Sequence, residues 1–156
     1  MFGKVLCGVL CLAGMTQSVA PQAHVRIGDM LFEAWSSMES GGRLIRSTGR
    51  VTYVGTTGQG HLEIAADCSV VLRVYSADDA LAAPVWDGLA HRRMCFDMTR
   101  VLDLAPGQSV EFAQTDSVGR VIDLSKPARR YRLSVVFRLS GALLELPARE
   151  LVRLGR

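Results

Sequence analysis

Apolar and polar residues alternate with a period of two over much of the chain. In the clearest segment, 131–138, one face carries Tyr131, Leu133, Val135 and Phe137. A period of two places successive side chains on opposite faces of a β-strand. The segments 61–65, 68–76 and 109–113 show a similar pattern, and turn-forming residues separate them. The pattern therefore predicts strands, with little helix after residue 40.

Several turn signals lie between these strands. The segment 105–108, Ala-Pro-Gly-Gln, predicts a type II turn, and Asp87-Gly88 predicts a tight reversal. Gly49 is interpreted as a bulge or bend, and Pro147 suits an edge strand or a bulge. Short strands divided by turns predict an all-β fold, an immunoglobulin-like antiparallel β-sandwich of about seven to eight strands.

The N-terminal segment differs in character from the rest of the chain. Lys4 is followed by an uncharged and mostly apolar run of eleven residues. This layout predicts a secretory signal peptide, and the run is too short to cross a bilayer as a helix. Small residues place the cleavage after Ser18 or after Ala20.

The chain is therefore divided into a signal peptide at 1–20, an N-terminal extension or first strand at 21–42, and a β-sandwich domain at 43–156. The apolar positions of the middle segment fit a short amphipathic helix as well as an irregular strand. Its composition predicts a turn at 36–42.

The charge of the exported chain limits its partners. Loss of residues 1–20 leaves 17 Lys and Arg against 15 Asp and Glu, a net charge of +2. That is too near neutrality to indicate nucleic acid or an anionic membrane as the partner. The predicted location is periplasmic or extracellular, with no stable membrane insertion after signal cleavage.

The cysteines support the same compartment. Cys7 and Cys11 would leave with the signal peptide, so that Cys68 and Cys95 remain. Two remaining cysteines in an oxidising compartment predict a disulfide, here joining two strands across the sandwich with Trp86 packed nearby. The alternative is two separate buried thiols. A metal site is not predicted, because CxxC and HxxxH spacings are missing.

The order of motifs in residues 50–154 permits one comparison. It runs VTYVGTTG, LEIAADC, PVWDG, VLDLAPGQSVEF and RRYRLSVVF. This order resembles the bacterial immunoglobulin-like domains of the BsuPI-type, or intracellular proteinase inhibitor, family over about two-thirds of the chain. The resemblance implies the sandwich fold and, from the family's name, a proteinase as partner. The family's name also implies the cytosol, whereas the signal-like segment predicts export.

Catalytic and cofactor motifs were sought and none is predicted. The histidines lie far apart in sequence, at His24, His61 and His91. A nucleophile motif of the GxSxG type is missing, and each histidine is interpreted as solvent-facing. Asp78-Asp79 and Asp87 lack the spacing of a calcium loop.

The segment 76–93 contains the candidate partner-binding residues. Trp86 has two interpretations: a core indole beside the disulfide, or an exposed aromatic residue that anchors a partner. In the second interpretation Asp87 is its neighbour, and Arg92 and Arg93 form a basic rim.

The preferred hypothesis is an exported, non-enzymatic binding or structural module that presents loops or an edge strand to a protein partner such as a proteinase. A second hypothesis is a hydrolase that uses a histidine and a carboxylate assembled across loops, with His61 or His91 beside an acid in a cleft. A third is a module that binds a small ligand or carbohydrate on Trp35 or Trp86.

Overall fold

The computed structural model describes residues 23–78, 83–91, 95, 98–122 and 130–152; residues 150–152 are described by their backbone only. The predicted signal peptide, Arg92 and Arg93 lie outside the described residues. The elements are β1 (Ala23–Ile27), β2 (Met30–Glu39), β3 (Leu44–Tyr53), β4 (Gly60–Ala65), β5 (Val70–Ser76), β6 (Trp86–Asp87), α1 (Gly88–His91), β7 (Thr99–Leu104), β8 (Ser109–Ser117), α2 (Val118–Val121), β9 (Arg130–Leu139) and β10 (Ala142–Val152).

Two antiparallel sheets form a β-sandwich, as predicted. The first sheet has the order β1-β2-β3-β8. In the second sheet β9 is central and pairs with β10 on one side. On its other side β9 pairs first with β5 and then, at its end, with β4. β6 pairs with β5, and β7 pairs with β4. Because β5 and β4 share one position beside β9, and β6 and β7 share the next, the ten described strands occupy eight positions in the two sheets.

The strand order is that of an immunoglobulin-like sandwich. In such folds the first, second and fifth strands share one sheet, and the third, sixth and seventh share the other. Here β2, β3 and β8 form the first group, and β4 with β5, β9 and β10 form the second. The strand β1 extends the first sheet at its free edge by pairing with β2.

In the described part of the segment before residue 43, residues 23–42 form two strands and no helix. Met30, Phe32, Ala34 and Ser36 are buried and alternate with half-buried residues, which is a strand period. The expected turn at 36–42 begins only at Ser40, because Ser36 is 1% exposed and pairs with Ser47 inside the sheet. The helical interpretation is therefore wrong.

One of the predicted turns and the predicted bulge have the expected geometry. Gly107 has a φ of 78°, as a type II turn requires at this position, and the Gln108 amide donates to the Ala105 carbonyl over 2.9 Å. The register of β10 shifts between Pro147 and Arg149, which confirms the bulge. The reversal predicted at Asp87-Gly88 is wrong, because α1 begins at Gly88.

The space between the sheets contains two groups of buried side chains. The first includes Phe32, Tyr53, Ile64, Leu104, Phe112, Val135 and Phe137. The second includes Ile45, Leu72, Val74, Trp86, Val121, Tyr131 and Leu133.

Within the described residues, no helix is long and apolar enough to cross a membrane.

Gly49 lies in a regular part of β3 rather than at a bulge. It pairs with Ala34 on one side and Phe112 on the other without a register shift. A Cβ atom at this position would come within 2.6 Å of the Phe137 ring and 2.8 Å of Val70 Cγ1. The glycine is needed because the ring of the opposite sheet packs against its backbone.

We expect Gly49→Ala to lower the free energy of unfolding by about 1–3 kcal/mol, since the extra methyl group overpacks the core. Urea unfolding measures the change. In a Phe137→Leu background the same substitution should cost clearly less, because the two sites are in contact. An equal cost in both backgrounds would contradict the packing explanation.

The predicted disulfide between Cys68 and Cys95 is present, with 5.7 Å between the Cα atoms. It does not join two strands across the sandwich. Cys68 lies in the bend 66–69 that separates β4 from β5, and Cys95 lies between α1 and β7. Both segments adjoin strands of the second sheet in sequence, so the bond does not connect the two sheets.

Replacing both cysteines by serine should lower the free energy of unfolding by about 3–4 kcal/mol in the chain-entropy model. This value follows from the sequence separation of 27 residues. Urea unfolding with and without reductant measures it. Reductant should destabilise the natural protein by a similar amount and leave the double variant unchanged; sensitivity of the double variant would contradict the assignment.

Candidate functional site

Trp86 lies in the core and not on an exposed loop. Its side chain is 6% exposed and belongs to the second buried group. Trp86 pairs in register with Val74, which lies toward the end of β5 that is farther from Cys68. This placement agrees with the interpretation of Trp86 as a core residue. The indole does not, however, lie beside the disulfide along β5.

The outer side of the indole is covered by polar groups. The ring of His91 stacks on it with 4.0 Å between centroids and 17° between planes. Nδ1 of His91 donates to the Asp87 carbonyl over 2.8 Å, and Arg120 Nη2 donates to the His91 carbonyl over 3.3 Å. The Arg120 guanidinium also lies 5.3 Å from the indole centroid. These contacts close the end of the sandwich.

Asp87 has structural partners inside the chain. Its Oδ1 accepts the Leu89 amide over 2.9 Å, which caps α1. Its Oδ2 lies 3.2 Å from Arg73 Nε, and Arg73 Nη1 lies 2.8 Å from Glu145 Oε2. The arginine bridges two carboxylates on the outer face of the second sheet, so a partner would reach Asp87 only by competing with that bridge.

Tyr75 borders the same charged group. Burial of the phenol, together with its hydrogen bond to the Glu145 carboxylate, raises the pKa of Tyr75 to about 12. The same carboxylate raises the pKa of Arg73, against the opposite effect of burial. The Arg73 guanidinium therefore stays charged and the Tyr75 phenol stays neutral over the physiological range.

The Tyr75 phenol should contribute to the stability of the fold below pH 10 and lose that contribution as the pH rises toward 12. The unfolded chain loses the proton first, because its pKa is the ordinary one. Absorbance titration of tyrosinate and unfolding at each pH measure this, and Tyr75→Phe should remove a tyrosinate step near pH 12. Glu145→Gln should move that step to lower pH; an unmoved step would contradict the role of Glu145.

The histidines do not form the cleft that the hydrolase hypothesis requires. His61 Nδ1 is hydrogen-bonded to Asp103 Oδ1, but the two side chains are 68% and 57% exposed. They lie directly opposite each other on β4 and β7, as a cross-strand pair does. His24 is exposed on β1. Within the described residues, no group of three or more potential metal ligands comes together.

Trp35 occupies the outer face of the first sheet. It is half-buried on β2 and pairs in register with Thr48. The Arg50 guanidinium lies 5.3 Å from its ring centroid and is ion-paired with Glu33 at 2.7 Å. Of the two tryptophans considered for ligand stacking, this one is the more accessible.

A different part of the second sheet forms an open cavity of about 490 Å³, which we call the hairpin cleft. It lies between the β9–β10 hairpin and the start of β7. Its lining residues are Ala65, Met98, Thr99, Arg138, Leu139, Ser140, Gly141, Ala142 and Leu143. The volume is within the range typical of ligand-binding clefts.

Backbone hydrogen bonds hold the walls of the hairpin cleft. The Ala66 amide donates to the Met98 carbonyl over 2.7 Å, which ties the start of β7 to the bend 66–69. From the hairpin, the Ser140 amide donates to the Glu63 carbonyl over 3.0 Å. These two bonds tie both walls of the hairpin cleft to β4 and to the residue that follows it.

The bend beside the disulfide supports the same walls. Ser69 Oγ donates to the Ala65 carbonyl over 2.7 Å. The Arg138 amide donates to the Ser69 carbonyl over 3.0 Å, and Arg138 Nη1 donates to the Asp67 carbonyl over 3.0 Å. Cys68, which lies between these two acceptors in sequence, has a φ of 50°. The disulfide thus holds a bend to which both walls are bonded.

Exposed apolar side chains mark the hairpin cleft. Met98 is 63% exposed and Leu143 is 51% exposed, and Val101 on β7 is 58% exposed. Met98 precedes β7, which begins at Thr99. Sequence reasoning missed this site because only the pairing of β4 with β9 and β7 brings the two walls together.

Comparisons with family models, with curated proteins and with solved structures gave no match to this chain.

Proposed function

We propose that this chain is an exported, non-enzymatic binding module that holds a protein partner in the hairpin cleft. The observation that carries this proposal is the pair of exposed apolar side chains, Met98 and Leu143, on opposite walls of a cleft of about 490 Å³. Exposed apolar residues grouped around a concavity are typical of interaction sites. The sequence resemblance implies a proteinase as the class of partner.

The lining suits an apolar side chain of the partner. Ala65, Ser140 and Gly141 are small and leave room between the two apolar walls. Transfer of an inserted leucine or phenylalanine from water is worth about 1.5–3 kcal/mol when its burial is complete. Such a contact has the character of an interface hot spot.

The cleft is also rigid enough to bind without a large ordering cost. Its walls are bonded to strands and to a bend that the disulfide restrains. A preorganised site loses less conformational entropy on binding than a mobile loop does.

The proposed location is the periplasm or the extracellular space. The Cys68–Cys95 disulfide supports it, because such bonds persist in oxidising compartments. A restrained fold also suits a module that meets its partner outside the cell.

Met98→Asp and Leu143→Asp should each raise the Kd for the partner about tenfold or more, because a carboxylate would enter an apolar contact. The partner is captured from the exported fraction of the host with the natural protein and identified. Affinity is then measured by calorimetry, and secreted proteinases are tested for inhibition.

Ile27→Asp is the matched control, because Ile27 is 50% exposed on β1, in the other sheet. It should leave the Kd unchanged. A partner whose affinity both cleft variants retain would place the binding site elsewhere and overturn the proposal.

A further inference from the structure

The four outer edges of the sandwich differ in how well they are protected. In the second sheet β10 carries Pro147 and a register shift, and β6 and β7 are two and six residues long. In the first sheet β1 has five residues. By contrast, β8 is a nine-residue strand without proline whose pairing with β3 is regular throughout. Long, regular edge strands are templates for pairing with another chain.

The backbone groups on the free side of β8 can be assigned from its pairing with β3. The Tyr53 amide donates to the Gln108 carbonyl and the Val118 amide donates to the Arg43 carbonyl. Bonded pairs alternate along an antiparallel ladder, so the even-numbered residues of β8 bond to β3. The odd-numbered residues direct their backbone groups outward: Ser109, Glu111, Ala113, Thr115 and Ser117. In the described part of the chain, no other strand pairs with them.

We propose that two copies of this chain pair through β8, antiparallel and about a two-fold axis at Ala113. This register places Glu111 opposite Thr115 of the second copy and Ser109 opposite Ser117. Each of the five outward residues then lies opposite a residue of the second copy. An axis at Glu111 would oppose two carboxylates, and an axis at Thr115 would leave Ser109 and Glu111 without partners.

Charge favours the same register. Glu111 Oε1 lies 3.6 Å from Arg50 Nη1 within its own copy. Across β3, Thr115 pairs with Arg46, whose side chain is 49% exposed. Glu111 therefore lies in a cross-strand row between its own Arg50 and Arg46 of the second copy. The two four-stranded sheets join into one sheet of eight strands.

This inference is independent of the proposed function, because the hairpin cleft belongs to the other sheet. The dimer presents two clefts, so a partner with two binding segments would gain avidity.

Light scattering after size exclusion, over a range of concentrations, tests the pairing on the exported chain. The natural protein should be a dimer, and Ala113→Pro should raise the dimer Kd about tenfold or more. Proline removes only the outward amide of Ala113 and leaves the bonds to β3. Ala113→Thr is the matched control, which keeps the amide and should keep the dimer. A monomer at every concentration would overturn the proposal.

Cysteine scanning tests the register without relying on affinity. Cα atoms of an antiparallel bonded pair lie about 5.5 Å apart, within reach of a disulfide. Ala113→Cys should therefore give a covalent dimer on a non-reducing gel, and Ser109→Cys should not, because Ser109 faces Ser117. Equal cross-linking of both variants would overturn the register.

Charge exchange provides a third readout. Glu111→Arg should weaken the dimer about tenfold, because it brings three arginines into one row. Adding Arg46→Glu to the same chain should restore it. A Glu111→Arg protein that dimerises normally would contradict the pairing.

Discussion

The ring of Phe137 connects the two sheets of this sandwich. It belongs to β9, the central strand of the second sheet, and packs edge-on against Phe32 of the first sheet with 5.3 Å between centroids. It also lies against the backbone of Gly49, where a Cβ atom would clash. At this point the distance between the two sheets depends on the large Phe137 ring packing against Gly49, which has no side chain. Because β9 pairs on both sides along its length, the position of this ring fixes the strands that surround it.

The bend 66–69 is the second constraint, and it explains why ten strands fill eight positions. It interrupts a run that would otherwise be one long strand beside β9. Cys68 adopts a positive φ there, which β-strands do not accommodate. On the two sides of the bend, β4 and β5 each pair with a separate outer strand: β7 pairs with β4, and β6 pairs with β5. The disulfide restrains this same bend. Because both walls of the hairpin cleft are bonded to the bend, the disulfide also holds those walls.

Local pattern predicted most of the fold and little of the site. Alternation in 131–138 and the Pro-Gly turn before β8 gave strands and turns, since both signals depend on near neighbours. The apolar positions before residue 40 could not decide between helix and strand, because pairing with β3 settles that choice. Gly49 was misinterpreted for the same reason: its partner ring is distant in sequence. Met98 and Leu143 meet only through sheet order, which no local signal contains.

The two proposed contacts lie on different sheets, and the two surfaces differ in chemistry. Four of the ion pairs, including those of Arg50, lie on or beside the outer face of the first sheet, where most exposed charges have an opposite neighbour. In the proposed dimer, a copy displaced along β8 would move its Arg46 out of the cross-strand row that contains Glu111. The hairpin cleft instead offers apolar side chains beside small residues. The proposed binding at the cleft and the proposed pairing at β8 therefore place separate demands on the sequence, because they use different residues of different sheets.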